Sequence, residues 1–248
     1  MYKNNRVVAI IQARMGSTRL PGKVLMEIGN KKVLSHIVYR LEHSKYIDNI
    51  VIATSFKKKD EEIVNWCKIN NINFFQGPEE NVLERFYLCN EKFKGDIISR
   101  ITGDCPLVDF DLVDQLITFL YENNYDYVSM NTKEIPRGLH GEVFKKETLE
   151  KIYNNAYKKP HFEHVTYYVY EKNNDKFNYE YLTPPKWLKK NYRLTLDTQE
   201  DLKLLRKIFN HFSNKNNYLS IFEVINFLNE NPKIALINNK VKQKKITD

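Results

Sequence analysis

The chain has 248 residues, with 39 Lys and Arg against 31 Asp and Glu, a formal charge of +8, and 42% hydrophobic residues. Eight Gly and eight Pro are far below the roughly 25–30% share that marks a low-complexity chain, so collagen-like and disordered readings are excluded. The length suits one large domain with a sizeable core, and the +8 leaves open a nucleic-acid partner, a phosphate-rich small substrate or a solvated surface.

Three widely spaced cysteines, Cys67, Cys89 and Cys105, form no C-x-x-C pair. Neither a zinc ribbon nor a disulfide framework is indicated, and reduced thiols in a cytoplasmic protein are expected. The apolar run 7–11 is too short for a signal h-region or for a membrane span of about 18 residues, and no membrane partner is expected.

That same run, Val-Val-Ala-Ile-Ile, is continuous enough to be a strand buried on both faces. Val33, Ile37, Val38 and Leu41 recur at helical spacing and predict a helix over 32–43. The pattern continues with a strand over 49–54, a helix over 60–69 packed by Ile63, Trp66 and Cys67, and a short strand over 72–75. A helix over 80–93, a strand over 96–101, a helix over 109–121 and a strand over 125–130 follow. Such alternation predicts an α/β fold, a mostly parallel central sheet with helices on both faces.

From 131 to 190 the alternation is less regular, with many aromatics and histidines. It reads as an inserted α+β subdomain with helices near 146–157 and 160–171 and strands near 142–145 and 177–182. Residues 192–196 return to strand character, and helices near 199–211 and 219–229 follow. The expected organisation is a core over 1–130, the subdomain over 131–190, a return to the core over 191–239, and a tail over 240–248 carrying four Lys and one Asp.

The most informative segment is 12–23, directly after the first strand. It holds Gly16 and Gly22, three cations (Arg14, Arg19 and Lys23) and the hydroxyls of Ser17 and Thr18. Loops at the carboxyl ends of parallel strands are where open α/β sheets bind ligands. Glycine lets backbone N–H groups approach phosphate oxygens, and the cations neutralise them, so a phosphate-rich ligand is expected. It is not a P-loop: Gly16 and Gly22 enclose five residues rather than four, and Val24 stands where a magnesium-binding hydroxyl belongs. The dinucleotide pattern G-x-G-x-x-G is absent as well.

The run Ile11-Gln12-Ala13-Arg14, continued by 17–23 (Ser-Thr-Arg-Leu-Pro-Gly-Lys), closely resembles the signature of the cytidylyltransferase family. That family includes the 3-deoxy-manno-octulosonate and acylneuraminate cytidylyltransferases, and the nearest branch is that of spore-coat polysaccharide biosynthesis protein F. Four further stretches match in order: Val-Ile-Ala-Thr at 51–54, Gly77 with Asn-Val-Leu-Glu-Arg at 81–85, Thr-Gly-Asp-Cys-Pro at 102–106, and Leu-Asp-Thr-Gln-Glu-Asp-Leu at 196–202.

The resemblance implies a nucleotide-diphospho-sugar transferase-like fold. It also implies transfer of CMP from CTP to a small sugar-like acceptor, with pyrophosphate released. Lys23, Arg14 and Asp104 are the expected catalytic residues. In the loop, Gln12, Ala13, Met15, Gly16, Ser17 and Arg19 join Arg14 and Lys23 as nucleotide contacts; beyond it, Thr54, Arg85 and Thr102 do so. Thr54, like Ser55, reads equally as a turn hydroxyl, and Arg85 as a salt-bridged surface arginine. Read on their own, Asp104 and Asp197 are strand-end carboxylates that suit Mg2+, or else a loop cap and a helix N-cap. The resemblance implies magnesium at both.

Arg137, Glu142, Glu163 and His164 are the expected acceptor contacts. Thr102 departs from the octulosonate enzymes, which carry Gln there, and the branch usually has an acidic residue near Gly141; the acceptor therefore stays open. His161 and His164 have zinc-like spacing, but no third ligand is suitably placed. Tyr167, Tyr168 and Tyr170 read as core and interface, and the 131–190 segment as the surface of a homodimer. A nucleotide-sugar-using glycosyltransferase is the competing enzyme, although Asp104-Cys105-Pro106 supplies no Asp-x-Asp. A non-catalytic nucleotide-sugar-binding protein is the other alternative. Nucleic acid is not expected, because the informative cations sit in one loop rather than along a face.

Overall fold

The computed structural model describes residues 1–172, 174–213 and 218–243. Its first half alternates as the hydrophobic pattern requires. Strand β1 (Val7–Gln12) precedes a two-stranded ribbon of β2 (Glu27–Ile28) and β3 (Lys31–Lys32), then helix α1 (Val33–Leu41). Next come β4 (Asn49–Ser55), α2 (Glu61–Ile69), β5 (Asn73–Gly77), α3 (Val82–Phe93), β6 (Ile97–Thr102) and α4 (Phe110–Glu122). The remainder runs β7 (Tyr127–Met130), β8 (Glu142–Lys145), α5 (Lys146–Asn155), α6 (Lys159–His164), α7 (Tyr167–Tyr170), β9 (Tyr179–Leu182), α8 (Gln199–His211), α9 (Ile221–Glu230) and α10 (Pro232–Ala235).

Seven strands form one sheet in the order β5-β4-β1-β6-β8-β7-β9. Only β8 runs against the others: it pairs antiparallel with both β6 and β7, while the remaining pairs are parallel. Val7, Ala9 and Ile11 of β1 face one core layer with α1, α2, α4, α8 and α9. Val8 and Ile10 face the other, with α3, α5 and α7. A strand covered on both sides has no need of polar alternation, which is why β1 reads as an unbroken apolar run. The helix starts are fixed locally: Asn81, Asp109, Thr198 and Ser220 each accept a backbone N–H three residues on.

The 131–190 stretch is continuous with this sheet. Its strand β8 lies between β6 and β7, and β9 extends the edge beside β7. Helices α5, α6 and α7 lie over the same face as α3. Two expectations need correction. The helix expected over 160–171 is broken into α6 and α7, because Val165 takes φ +44° and Thr166 N–H donates to the His164 carbonyl at 2.5 Å. That is a γ-turn, which no helix can run through.

The strand expected over 192–196 is instead an extended segment whose partners are loops. Arg137 N–H donates to Tyr192 O (3.0 Å), Leu194 N–H to Arg137 O (2.8 Å) and Leu196 N–H to Asp104 O (2.8 Å). With loop backbones on either side it has no ladder to join. Of the tail, residues 240–243 turn back toward the core, and Gln243 accepts a hydrogen bond from Arg193 (2.7 Å); residues 244–248 lie outside the described residues. No helix among the described residues is long and apolar enough to cross a membrane.

Gly138 makes the contact with 192–196 possible. Its φ is +99°, and a Cβ there would sit 2.8 Å from the Leu194 carbonyl and the Thr195 nitrogen, all of it backbone that has no rotamer to yield. Gly138→Ala should therefore cost about 2 kcal/mol or more, lowering the melting temperature by roughly 4–8 °C in a chain of this size. All three cysteines are free and buried, and burial first of all pushes each thiol up to about 12. A thiol-reactive dye at pH 8 should label the native protein negligibly and all three cysteines after denaturation; rapid native labelling of any one would contradict this packing.

Candidate active site

A cleft of about 570 Å³ opens where β1 and β6 end and β8 begins. One rim is formed by the 13–22 loop. Gly22, at φ +70°, donates its N–H to the Met15 carbonyl (2.9 Å) and closes the loop on itself. Met15 N–H in turn donates to Asp60 Oδ1 (2.7 Å), and Asp60 Oδ2 takes the Ser55 hydroxyl. Asp60 is fully buried; a carboxylate so placed anchors the loop from beneath. A single 3-10 turn over Lys23–Leu25 follows and directs Lys23 inward.

The Lys23 ammonium lies between the two aspartates. It donates to Asp104 Oδ2 at 2.6 Å and to Asp197 Oδ1 at 2.7 Å. Burial works against its charge, but Asp104 and Asp197 outweigh it, and the ammonium is held above its usual range. Burial likewise opposes charge on Asp197, yet Lys23, with Arg19 and Arg193, brings its carboxyl down to about 2. Arg19 reaches Asp197 Oδ2 at 3.0 Å and Arg193 the same oxygen at 2.5 Å.

Neither aspartate is a cap. The start of α8 is capped by Thr198, and Asp201 returns to the N–H groups of Asp197 and Thr198, both at 3.0 Å. Asp201 also holds Arg193 (3.0 Å) and Asn238 (2.7 Å), so it positions the segment that carries Asp197. Among the described residues there is no group of three His, Cys, Asp or Glu arranged for a metal. What the cleft offers is an all-oxygen pair of carboxylates already gathered around one compact cation. That donor set fits Mg2+, which takes one or two carboxylates and fills its remaining positions with water and phosphate oxygens.

Across the floor runs a chain of hydrogen bonds spanning three adjacent strands. Arg100 on β6 donates to Gln12 of β1 (3.0 Å) and to Glu142 of β8 (2.5 Å). Glu142 also accepts from Tyr127 (3.1 Å) and Thr166 (2.9 Å). Burial disfavours its charge, but Arg100 and these hydroxyls keep the carboxyl below its usual range. Glu142 thus lines the cleft with its carboxylate already committed. The γ-turn at Val165 brings Glu163 and His164 to the same wall.

Gln12, Ala13, Arg14, Ser17, Arg19 and Lys23 all line the cleft, as do Thr102, Asp104, Arg137 and Asp197. Arg14 and Arg137 have no carboxylate at ion-pair distance among the described residues. Four expected residues lie behind it. The Met15 backbone is spent on the loop. Gly16 sits under the Lys59–Glu79 ion pair (2.8 Å). Thr54 is fully buried in β4. Arg85, far from being a surface residue, is buried on α3, donates to Pro78 O (3.0 Å), and is brought down to about 10 by burial and by Arg14.

Residues missed in the sequence are Asp60, Arg100, His140, Arg193 and Asp201. A charge inside the apolar run of β6 marked Arg100, and the T-x-x-D spacing marked Asp201. His140 lines the cleft with a buried Nδ1 that has no hydrogen-bond partner among the described residues, and burial brings it down to about 4, so it is neutral at pH 7. His161 is structural: its Nδ1 accepts from the Tyr157 and Lys158 N–H groups (3.4 and 3.3 Å), and its other nitrogen faces Glu171 at 3.2 Å.

A family model described as Cytidylyltransferase matches residues 8–234. The chain is 45% identical over 240 residues to Uncharacterized protein MJ1063 of Methanocaldococcus jannaschii, covering 96% of this chain and 97% of that protein. It is 36% identical over 237 residues to Spore coat polysaccharide biosynthesis protein SpsF of Bacillus subtilis, covering 93% and 97%. Among solved structures, a cytidylyltransferase from Leptospira borgpetersenii superposes with a TM-score of 0.86 at 31% identity, covering 97% of this chain and all of that one. The chain belongs to the cytidylyltransferase family and is a nucleotidyltransferase.

Proposed function

We propose that the protein transfers CMP from CTP to a sugar acid or a sugar-phosphate-like acceptor, releasing pyrophosphate, in the biosynthesis of a surface polysaccharide. The observation that carries this reading is the meeting of Asp104, Asp197, Lys23 and Arg19 beside a glycine-closed cationic loop at the carboxyl edge of the sheet. Magnesium would be held by Asp104 and Asp197, where it supplies charge neutralisation on the phosphates.

The chain's own residues do the positioning. Arg14, Arg19 and Lys23 set the triphosphate on the 13–23 loop, and the acceptor oxygen displaces pyrophosphate from the α-phosphorus. Transfer to phosphorus depends mostly on alignment and electrostatic stabilisation, and this cleft concentrates both. At the far wall, Arg137 with no carboxylate partner among the described residues, the neutral His140 and the Glu163 carboxylate suit an acceptor with one anionic group and several hydroxyls. The polysaccharide context is supported by the similarity to the Bacillus subtilis spore-coat protein.

A screen of pyrophosphate release across four nucleoside triphosphates and a panel of sugar acids and sugar phosphates tests the reading. CTP should be preferred, and Asp104→Asn and Asp197→Asn should each lower turnover by at least about a hundredfold, with circular dichroism unchanged. Absence of CTP-dependent release with every acceptor would sink it.

A further inference from the structure

We propose that Lys23 is the resident counter-ion of the two aspartates: its ammonium holds Asp104 and Asp197 together until a divalent cation enters, and then leaves them for the ligand's phosphates. The inference rests on the reading of those aspartates as the metal-holding pair.

The carboxylate oxygens are unequally occupied. Asp197 Oδ2 is taken by both Arg19 and Arg193, whereas Asp197 Oδ1 is held by Lys23. On Asp104, Oδ2 is held by Lys23 and Oδ1 has only a long contact, 3.5 Å, with the Cys105 thiol. Of the three oxygens that the arginines leave to an incoming cation, Lys23 occupies two, and only Asp104 Oδ1 lacks a charged partner among the described residues. The Lys23 side chain is 11% exposed, and those of Asp104 and Asp197 are 21% and 14% exposed. Two carboxylates in so little water repel strongly without a cation between them, so a positive charge in that place stabilises the pair whether or not a metal is bound.

Lysine is suited to a temporary tenancy. Its charge is compact, rides on a flexible four-carbon stem and has no fixed planar geometry to satisfy, unlike the two arginines on Oδ2. The residue stands directly after Gly22, at the base of the 13–22 loop, and Arg14 and Arg19 of that loop line the same cleft. A triphosphate on the loop offers the displaced ammonium new partners. Ammonium and divalent cation then compete when the cation comes alone, and cease to compete when it arrives with phosphates. Cation and nucleotide bind cooperatively as a result.

Calorimetric titration of the full chain with Mn2+ alone, no nucleotide present, tests this directly. Lys23→Met and Lys23→Gln should each bind Mn2+ about tenfold or more tightly than the parent protein, as expected when a part-buried charge pair is left for the metal to satisfy. Arg19→Gln removes the same unit of charge from the other Asp197 oxygen and should gain much less. In EDTA, Lys23→Met should melt below the parent and recover more than the parent on adding Mn2+. Equal gains from Lys23→Met and Arg19→Gln would reduce the effect to net charge and overturn the proposal. So would unchanged or weaker Mn2+ binding by both Lys23 variants while Asp104→Asn and Asp197→Asn abolish it; the metal reading would then survive. Mn2+ binding indifferent to both aspartates would overturn the metal reading itself.

Discussion

Two carboxylates cannot stand side by side in a half-dry cleft without a positive charge between them, and much of this fold serves to meet that condition. Asp104 comes from the turn after β6, Asp197 from the extended segment before α8, and Lys23 from the turn after the loop. Each carrier is fixed by its own backbone contacts. Leu196 N–H is bonded to Asp104 O, so the two aspartates share a main-chain hinge as well as an ammonium. Asp201, fully buried, holds Arg193 and the backbone of Asp197 in place. The charge balance is local: three cations meet Asp197 alone, which places part of the chain's basic excess inside the site rather than over its surface.

The floor obeys a different constraint. Arg100 lies within a seven-stranded sheet, where an unpaired guanidinium would be costly. It is satisfied on one side by Gln12 and on the other by Glu142, residues that come from strands β1 and β8. The insertion of β8 between β6 and β7 makes this possible, because it brings residues 142–145 directly beside the strand that leads into the Asp104 turn. The walls proposed to face the acceptor and the nucleotide are in this way built on one sheet.

Legibility in the sequence followed the range of the interactions. Apart from the short ribbon β2–β3, which was not foreseen, the strands and helices of residues 7–130 were readable within a residue or two, because burial on both sheet faces leaves a plain apolar run and packing on one leaves a 3.6 period. The cation-rich loop was readable because its chemistry is local. Helix 160–171 misled, since nothing in its composition announces that Val165 takes a left-handed φ. The segment 192–196 misled as well: it has strand composition, but its neighbours are loops. Whether Asp197 was a cap or a cleft residue turned on Thr198, one position away. Arg85 and Glu142 show the limit most clearly. Each was identified as a functional position, yet the first is buried on α3 against the turn at Pro78, and the saturated hydrogen bonding of the second depends on partners from β6, β7 and Thr166.

The closure of residues 193–197 on both Asp104 and the far end of the chain has a consequence for biosynthesis. Arg193 and Asp201 both bond to Asn238, the side chain to which the segment's register is tied from the C-terminal side. During translation the sheet strands β5, β4, β1 and β6 are available early, and the cationic loop can form with them. The carboxylate pair cannot. It is assembled only once some two hundred residues are made and its bracing only when residue 238 has left the ribosome, so for part of synthesis the loop stands without the acidic pair it faces in the finished fold.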